Sequence, residues 1–255
     1  MYKSFNADEY RRLLNFPKDY TVSGMLTYGT YATHPFGQFE AALKKLDLKY
    51  IVTTLKHEFF GSLKEYTVNN KKYWVSVNYG SALLSEYLHL ACLFGSKTNL
   101  FIGSCGGLSK TGSSNDIIIP EWSFAQESSA KAYASNVSNQ YYSDKTLSQK
   151  LAKALSKDNV VHRGPIITFQ AMMGETWELI KKWSEQGYLG VEMEAATVFA
   201  VSNYFKVPST AILFIADNLV QKETVLSKEY EKSKHKRKNV AGEIFQVATK
   251  ELIKQ

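Results

Sequence analysis

Three short stretches of this chain hold residue types able to do chemistry. The first is residues 190–199, Gly-Val-Glu-Met-Glu-Ala-Ala-Thr-Val-Phe, where Glu192 and Glu194 flank Met193 just ahead of an apolar run. Carboxylates at a helix start are favoured by the helix dipole. Apolar surroundings also point to burial, and a buried carboxylate needs donors such as vicinal sugar hydroxyls. The second is residues 100–108, Leu-Phe-Ile-Gly-Ser-Cys-Gly-Gly-Leu, an apolar strand running into a small-residue turn. Backbone N–H groups there, with the Ser104 hydroxyl, can approach an oxygen-rich ligand. A tight crossover connection would use the same glycines. The third is residues 211–218, a wholly apolar strand that ends in Asp217. Ligands gather beyond the carboxyl ends of parallel strands, and an Asp with a burial-raised pKa can act there as a general acid. An Asp turn or helix cap is the other use of that position.

The elements that must position these residues follow from periodicity. Short apolar runs at residues 50–54, 73–78, 100–103, 116–120, 164–168 and 211–216 are expected to be strands. Helical patterns cover residues 37–46, 81–94, 147–157, 176–186, 195–205 and 233–254. Strands alternating with helices imply βαβ units and a largely parallel sheet. Residues 126–144, rich in Ser, Asn, Ala and Tyr without clear period, read as a long surface excursion of the kind that often covers a site. No repeat or linker divides the chain.

With 255 residues, 44% apolar and 22% charged, the chain has the length of one large α/β domain. The longest apolar stretches are strand-length, far below the ~20 residues that span a bilayer, so no membrane partner is expected. The first residues carry charges in place of a secretory core, and Cys92 and Cys105 make no disulfide framework. A cytoplasmic protein with reduced thiols is expected. The net charge of +7 is concentrated at Lys232, Lys234, Lys236, Arg237 and Lys238. That run is either a solvated helix face or a phosphate-facing one, and no nucleic-acid-binding signature accompanies it.

The three stretches, in this order and spacing, resemble the nucleoside phosphorylase family, which includes purine nucleoside phosphorylases, uridine phosphorylases and nucleosidases. The run VEMEAAT at 191–197 is the most specific element, followed by IGSCGGL at 102–108 and IADN at 215–218, and the match extends from Val75 to the C-terminus. The resemblance implies a single α/β domain over residues 1–255, its mixed twisted sheet partly closed into a barrel and flanked by helices. It implies homodimers or homohexamers and neither a cofactor nor a metal. Carried over residue by residue, Glu194 binds ribose hydroxyls, Met193 packs on the sugar, and Glu192 lies beside them. Asp217 meets N7 of a purine as the catalytic acid and contacts the base. Phe169, with Met172 or Met173, walls the base pocket. Lys236 or Arg237 assists Asp217, and Arg237 is taken as the catalytic partner. Gly103 and Ser104 mark the phosphate or water site. The loop at 168–178 lacks the arginine with which the uridine branch reads its base, which favours purine.

Two departures bear on the ribosyl acceptor. The family's arginine ahead of the glycines is Phe101 here, and its N-terminal phosphate loop has only a remnant in Thr33-His34-Pro35-Phe36-Gly37. Neither Phe nor Gly replaces a bidentate guanidinium, although Lys56 or His57 stand as substitutes. The glycine stretch and the pattern VPxxxxLxxxxD at 207–217 also look like the catalytic half of AMP nucleosidases, in which the basic run would meet a 5′-phosphate. The expected function is therefore cleavage of a purine nucleoside or nucleotide, leaning to hydrolysis. The alternatives are a purine or uridine phosphorylase with a relocated phosphate site, using inorganic phosphate, and a non-catalytic nucleoside-binding protein.

Overall fold

The computed structural model describes residues 1–29, 34–55, 57–125, 128–134 and 138–254. The strands are β1 (Gly24–Gly29), β2 (Tyr50–Thr54), β3 (Leu63–Val68), β4 (Lys71–Asn78), β5 (Asn99–Gly107), β6 (Ile117–Ala125), β7 (Gln140–Tyr142), β8 (Val161–Thr168), β9 (Gly190–Glu192) and β10 (Ser209–Asn218). The helices are α1 (Ala7–Leu13), α2 (Pro35–Lys45), α3 (Ser81–Leu93), α4 (Lys145–Leu155), α5 (Trp177–Glu185), α6 (Ala195–Tyr204), α7 (Lys228–Lys232) and α8 (Lys234–Ile253). All the expected strands and helices are present, five of the six strands longer by a few residues and the helices ending within two residues of expectation. Among the described residues no helix is long and apolar enough to cross a membrane.

The sheet is mixed and closes on itself. Strand order runs β10-β6-β8-β9-β5-β1-β4-β3-β2, and β10 also pairs with β5. Strands β5, β10, β6, β8 and β9 thus form a ring, while β1, β4, β3 and β2 extend from β5 as an open wing. Alternate side chains along the buried strands feed two apolar layers. Met25, Phe101 and Leu213 pack with α3 and α6 residues such as Leu84, Leu88, Val198 and Phe199. Their neighbours Leu26, Ile102 and Ile212 pack instead with Phe39 of α2, Leu151 of α4, and Ile244 and Phe245 of α8. Helix α6 is buried along nearly its whole length, which its AATVFAV sequence requires, and it stops at Lys206, whose φ of 57° leaves the helical region.

The structure corrects two expectations. Residues 103–107 form no glycine turn: β5 continues to Gly107, and none of Gly103, Gly106 or Gly107 has positive φ. Gly106 and Gly107 are flanked by Asp217 and Asn218 of β10 on one side and by Val191 and Gly190 of β9 on the other. A Cβ on Gly106 would lie 2.6 Å from Leu219 Cδ1, and one on Gly107 would lie 2.9 Å from Ile215 Cγ2. The glycines therefore serve close packing inside the ring. The described parts of residues 126–144 form a 3-10 turn (Ser129–Ala132) and the short strand β7. They pack on α3 and α6, burying Ala130 and Tyr141, and line no part of the cavity described below.

Candidate active site

Ring closure brings the carboxyl ends of β5, β9 and β10 together. The register between β5 and β10 shifts between Ile215 and Asp217, so Asp217 pairs with Gly106. Such a bulge re-aims the side chain at the strand end. A cavity of about 1030 Å³ opens there, lined by Gly29, Tyr79, Ser104, Met193, Glu194 and Asp217 among others, and roofed by α7 and the start of α8. Its volume is ample for a nucleoside-sized ligand.

The carboxylate pair is held from several elements. Glu192 ends β9, and its Oε2 accepts the backbone N–H groups of Glu194 and Ala195, each at 2.7 Å. The Thr168 hydroxyl donates to its Oε1, and Thr168 Oγ1 in turn accepts the N–H of Ala196 at 3.1 Å. Glu192 thus closes the free N–H groups at the start of α6. Glu194, one residue before that helix, accepts the N–H of Gly80 at 2.5 Å through Oε1. Gly80 has φ 84°, ψ 177°, a conformation suited to glycine. Glu194 Oε2 faces Gly29, where a Cβ would lie 3.4 Å away. The carbonyl of Met193 accepts from Gln170 Nε2 at 2.5 Å and from Ser81 Oγ at 2.9 Å. Gln170 Oε1 accepts the Ser81 N–H at 3.0 Å, completing a clasp around the Met193 backbone.

Both carboxyls of this pair are pushed up by burial. Hydrogen bonds from Thr168 and from backbone N–H groups pull Glu192 back toward the ionised form. Glu194, after burial, is raised further by the charge of Glu192. Of the two, Glu194 is the carboxyl that its surroundings push up the more.

Asp217, 8% exposed, is pushed up to about 6, first by burial and then by Glu223; Arg237 and the backbone N–H groups of Val225 and Asp217 itself draw it down. Arg237 is buried to the same extent, lies over the Tyr230 ring at 3.7 Å from its centroid, and donates to Ser233 Oγ. Among the described residues no ion pair joins Arg237 to Asp217, but its charge is felt there. Of the two basic candidates, Arg237 turns into the cavity and Lys236 stays exposed. Lys232, Lys234, His235 and Lys238 also line the cavity, so most of the basic run faces it.

The other expected residues divide. Ser104 and Met172 line the cavity, as does the exposed Met173. Gly103 does not: a Cβ there would lie 2.7 Å from Phe101 Cζ, so the glycine makes room for that ring. Phe169 sits behind the wall in a small core with Ile180 and Trp183, its ring centroid 5.2 Å from that of Trp183. Phe101 is fully buried, its ring against the positions of Gly29 and Gly103. His34 opens α2, and the exposed His57 caps a 3-10 turn without reaching the cavity; Thr33 and Lys56 lie outside the described residues. Glu175 was not anticipated. It lines the cavity and is raised to about 7 by burial and by Asp217. Its only sequence signal is a carboxylate two positions before an amphipathic helix, in a loop without period. Among the described residues no group of three His, Cys, Asp or Glu side chains is placed to hold a metal.

The closed five-strand ring with flanking helices is a fold this chain shares with solved uridine phosphorylases. Uridine phosphorylase from Vibrio fischeri matches it with a TM-score of 0.73 over 92% of this chain and 93% of that one, at 18% identity. The chain belongs to the phosphorylase superfamily, whose family model matches residues 47–253. It is similar to guanosine phosphorylase from Halorubrum lacusprofundi, 30% identical over 126 residues that cover 49% of this chain and 52% of that protein. It is also similar to a DeoD-type purine nucleoside phosphorylase from Jannaschia sp., 27% identical over 156 residues that cover 61% and 64% of the two chains. The matched region thus spans about half to two thirds of these relatives.

Proposed function

We propose that this chain cleaves the N-glycosidic bond of a purine nucleoside or nucleotide and transfers the ribosyl group to water. The observation that carries the reading is the pairing of Glu194 and Asp217 in one cavity, each held by its own framework. Bond cleavage builds positive charge on the ribose and negative charge on the leaving base. Glu194, with Met193 beside it, takes the ribose hydroxyls, and its carboxylate favours the cationic sugar. Asp217 carries the proton toward N7, which relieves the charge on the base. Arg237 stands behind Asp217 and stabilises the carboxylate left after the proton departs.

Water is favoured as acceptor by Phe101. A buried ring fills the space beside Gly29 and near Glu194, and no arginine among the described residues reaches that end of the cavity. Ser104 also lines the cavity and supplies a hydroxyl to orient the attacking oxygen. The phosphorolytic reading rests on a different observation, the names of the relatives, which are phosphorylases. Lys234 and Lys238 at the roof suit a 5′-phosphate, so nucleotides belong among the substrates tested. The reading includes a homo-oligomer in the cytoplasm, and two buried unpaired cysteines are compatible with a reducing compartment. The decisive experiment incubates the protein with purine nucleosides, uridine and AMP, with and without phosphate, and separates free ribose from ribose 1-phosphate. Phosphate-independent release of free ribose or ribose 5-phosphate supports water. A strict phosphate requirement with ribose 1-phosphate as product supports phosphorolysis.

A further inference from the structure

A second cavity, of about 570 Å³, lies between α5 and the turn Leu219–Gln221 that follows β10. Its wall is apolar, formed by Ile180, Leu219 and Val220 with the indole of Trp177, which is 55% exposed. Its rim carries Lys110, Lys181 and Lys222 against a single acid, Glu185. Lys181 pairs with that acid at 3.8 Å in full solvent, a weak contact. Among the described residues Lys110 and Lys222 form no ion pair.

The frame beneath the lysines is fixed. Asn218 Nδ2 donates to the carbonyls of Ser109 and Gly112 at 2.9 and 2.6 Å. Gln221 Nε2 donates to the carbonyls of Lys110 and Gly112, each at 3.3 Å. The two loops that carry Lys110 and Lys222 are thereby tied to each other and to the end of β10. Leu219 lines this cavity and also the catalytic one.

A flat, accessible indole beside uncompensated ammonium groups fits a planar ring that carries a phosphate. The ring stacks on the indole, and the lysines take the anion as point charges. We propose that this cavity is a second ligand site, separate from the reaction, that binds a nucleoside monophosphate.

The test titrates GMP into the full chain by calorimetry while the catalytic cavity is saturated with a C-nucleoside purine analogue, whose carbon–carbon link to ribose cannot be cleaved. One GMP should bind per chain. Affinity should fall at least about tenfold in Trp177→Ala and in the Lys110→Ala/Lys222→Ala double variant, as loss of a stacking base contact implies, while Trp177→Phe retains binding. Guanosine and inorganic phosphate, each carrying half of the ligand chemistry, should bind at least about tenfold more weakly than GMP. Absence of GMP binding, or binding unchanged in the alanine variants, overturns the proposal. A change of oligomeric state in ligand-free Trp177→Ala on sedimentation also overturns it, by assigning the groove to a second copy of the chain. Should the C-nucleoside itself not bind, the reading of the catalytic cavity fails, and the second site is then judged on the difference in GMP affinity between wild type and Trp177→Ala.

Discussion

Glu192 accepts the backbone N–H of Glu194 at 2.7 Å, so one carboxylate fixes the main chain that aims the other. Both carboxylates line the cavity, and Glu194 Oε2 is the oxygen that faces Gly29. On the proposed reading Glu194 meets the ribose hydroxyls and Glu192 holds the backbone that aims it.

Glu194→Gln keeps an acceptor for the Gly80 N–H but removes the charge. It should lower kcat/KM by a factor on the order of ten to a thousand, with the melting temperature near that of wild type. Steady-state kinetics with inosine or adenosine, beside a thermal melt, check both halves. Activity close to wild type would remove Glu194 from the site.

Asp217→Asn keeps shape and one hydrogen bond while removing the acid. The loss should be on the order of a hundredfold to ten-thousandfold for substrates whose base leaves poorly. It should be much smaller for a 7-methylated purine nucleoside, whose base departs without that proton. Equal losses on both substrates would leave Asp217 only a role in positioning the base.

The pH profile separates the same groups. If Asp217 is the acid proposed, it must be protonated to act, so the wild-type kcat/KM should decline on the alkaline side as that proton is lost, and Asp217→Asn should lack the decline. Because Arg237 draws the Asp217 pKa down, Arg237→Met should move the alkaline limb to higher pH. It should also lower kcat by a factor on the order of ten to a hundred. An unmoved limb would show that Arg237 does not act on Asp217.

Glu175 gives a prediction about stability. Its folded pKa, about 7, exceeds the ordinary 4.5. Between those values the folded chain keeps a proton that the unfolded chain has lost, so stability falls as pH rises through that window. Glu175→Gln removes the dependence and should stabilise the protein at pH 8 but not at pH 4. The side chain is only half-buried, so the gain is discounted to about 1 kcal/mol. That corresponds to roughly 2–4 °C in melting temperature for a domain of this size. Equal melting shifts at both pH values would contradict it.

Phe101→Ala should cost about 3–5 kcal/mol in urea unfolding, because a fully buried ring leaves a void between Gly29 and Gly103. A loss below about 1 kcal/mol would mean that the site collapses around the deletion.

The chemistry was legible where it is local. Glu192, Glu194 and Asp217 each stand at the end of a strand or the start of a helix whose apolar pattern is plain. What holds them was not. Gly80 reaches Glu194 across 114 positions, and Ser81 reaches Met193 across 112, contacts that only the topology creates. Strand β9, three residues long, offers no period to detect, and β1 is buried on both faces without alternation. The glycines of β5 read as a turn because local rules associate glycine with turns, whereas ring closure uses their smallness. Helix α1 did carry a readable signal in its Asn6–Glu9 capping box.

The cavity is assembled from two kinds of material. Its floor is the closed ring, where β5, β9 and β10 bury nearly every side chain and leave little freedom to substitute. Its roof is α7 and the first turn of α8, where Lys232, Lys234, His235 and Lys238 are exposed and replaceable at small cost to folding. On the proposed reading, preference for the base or its 5′ substituent can change by exchange of these exposed roof residues, while Glu194 and Asp217 are tied to buried strand ends.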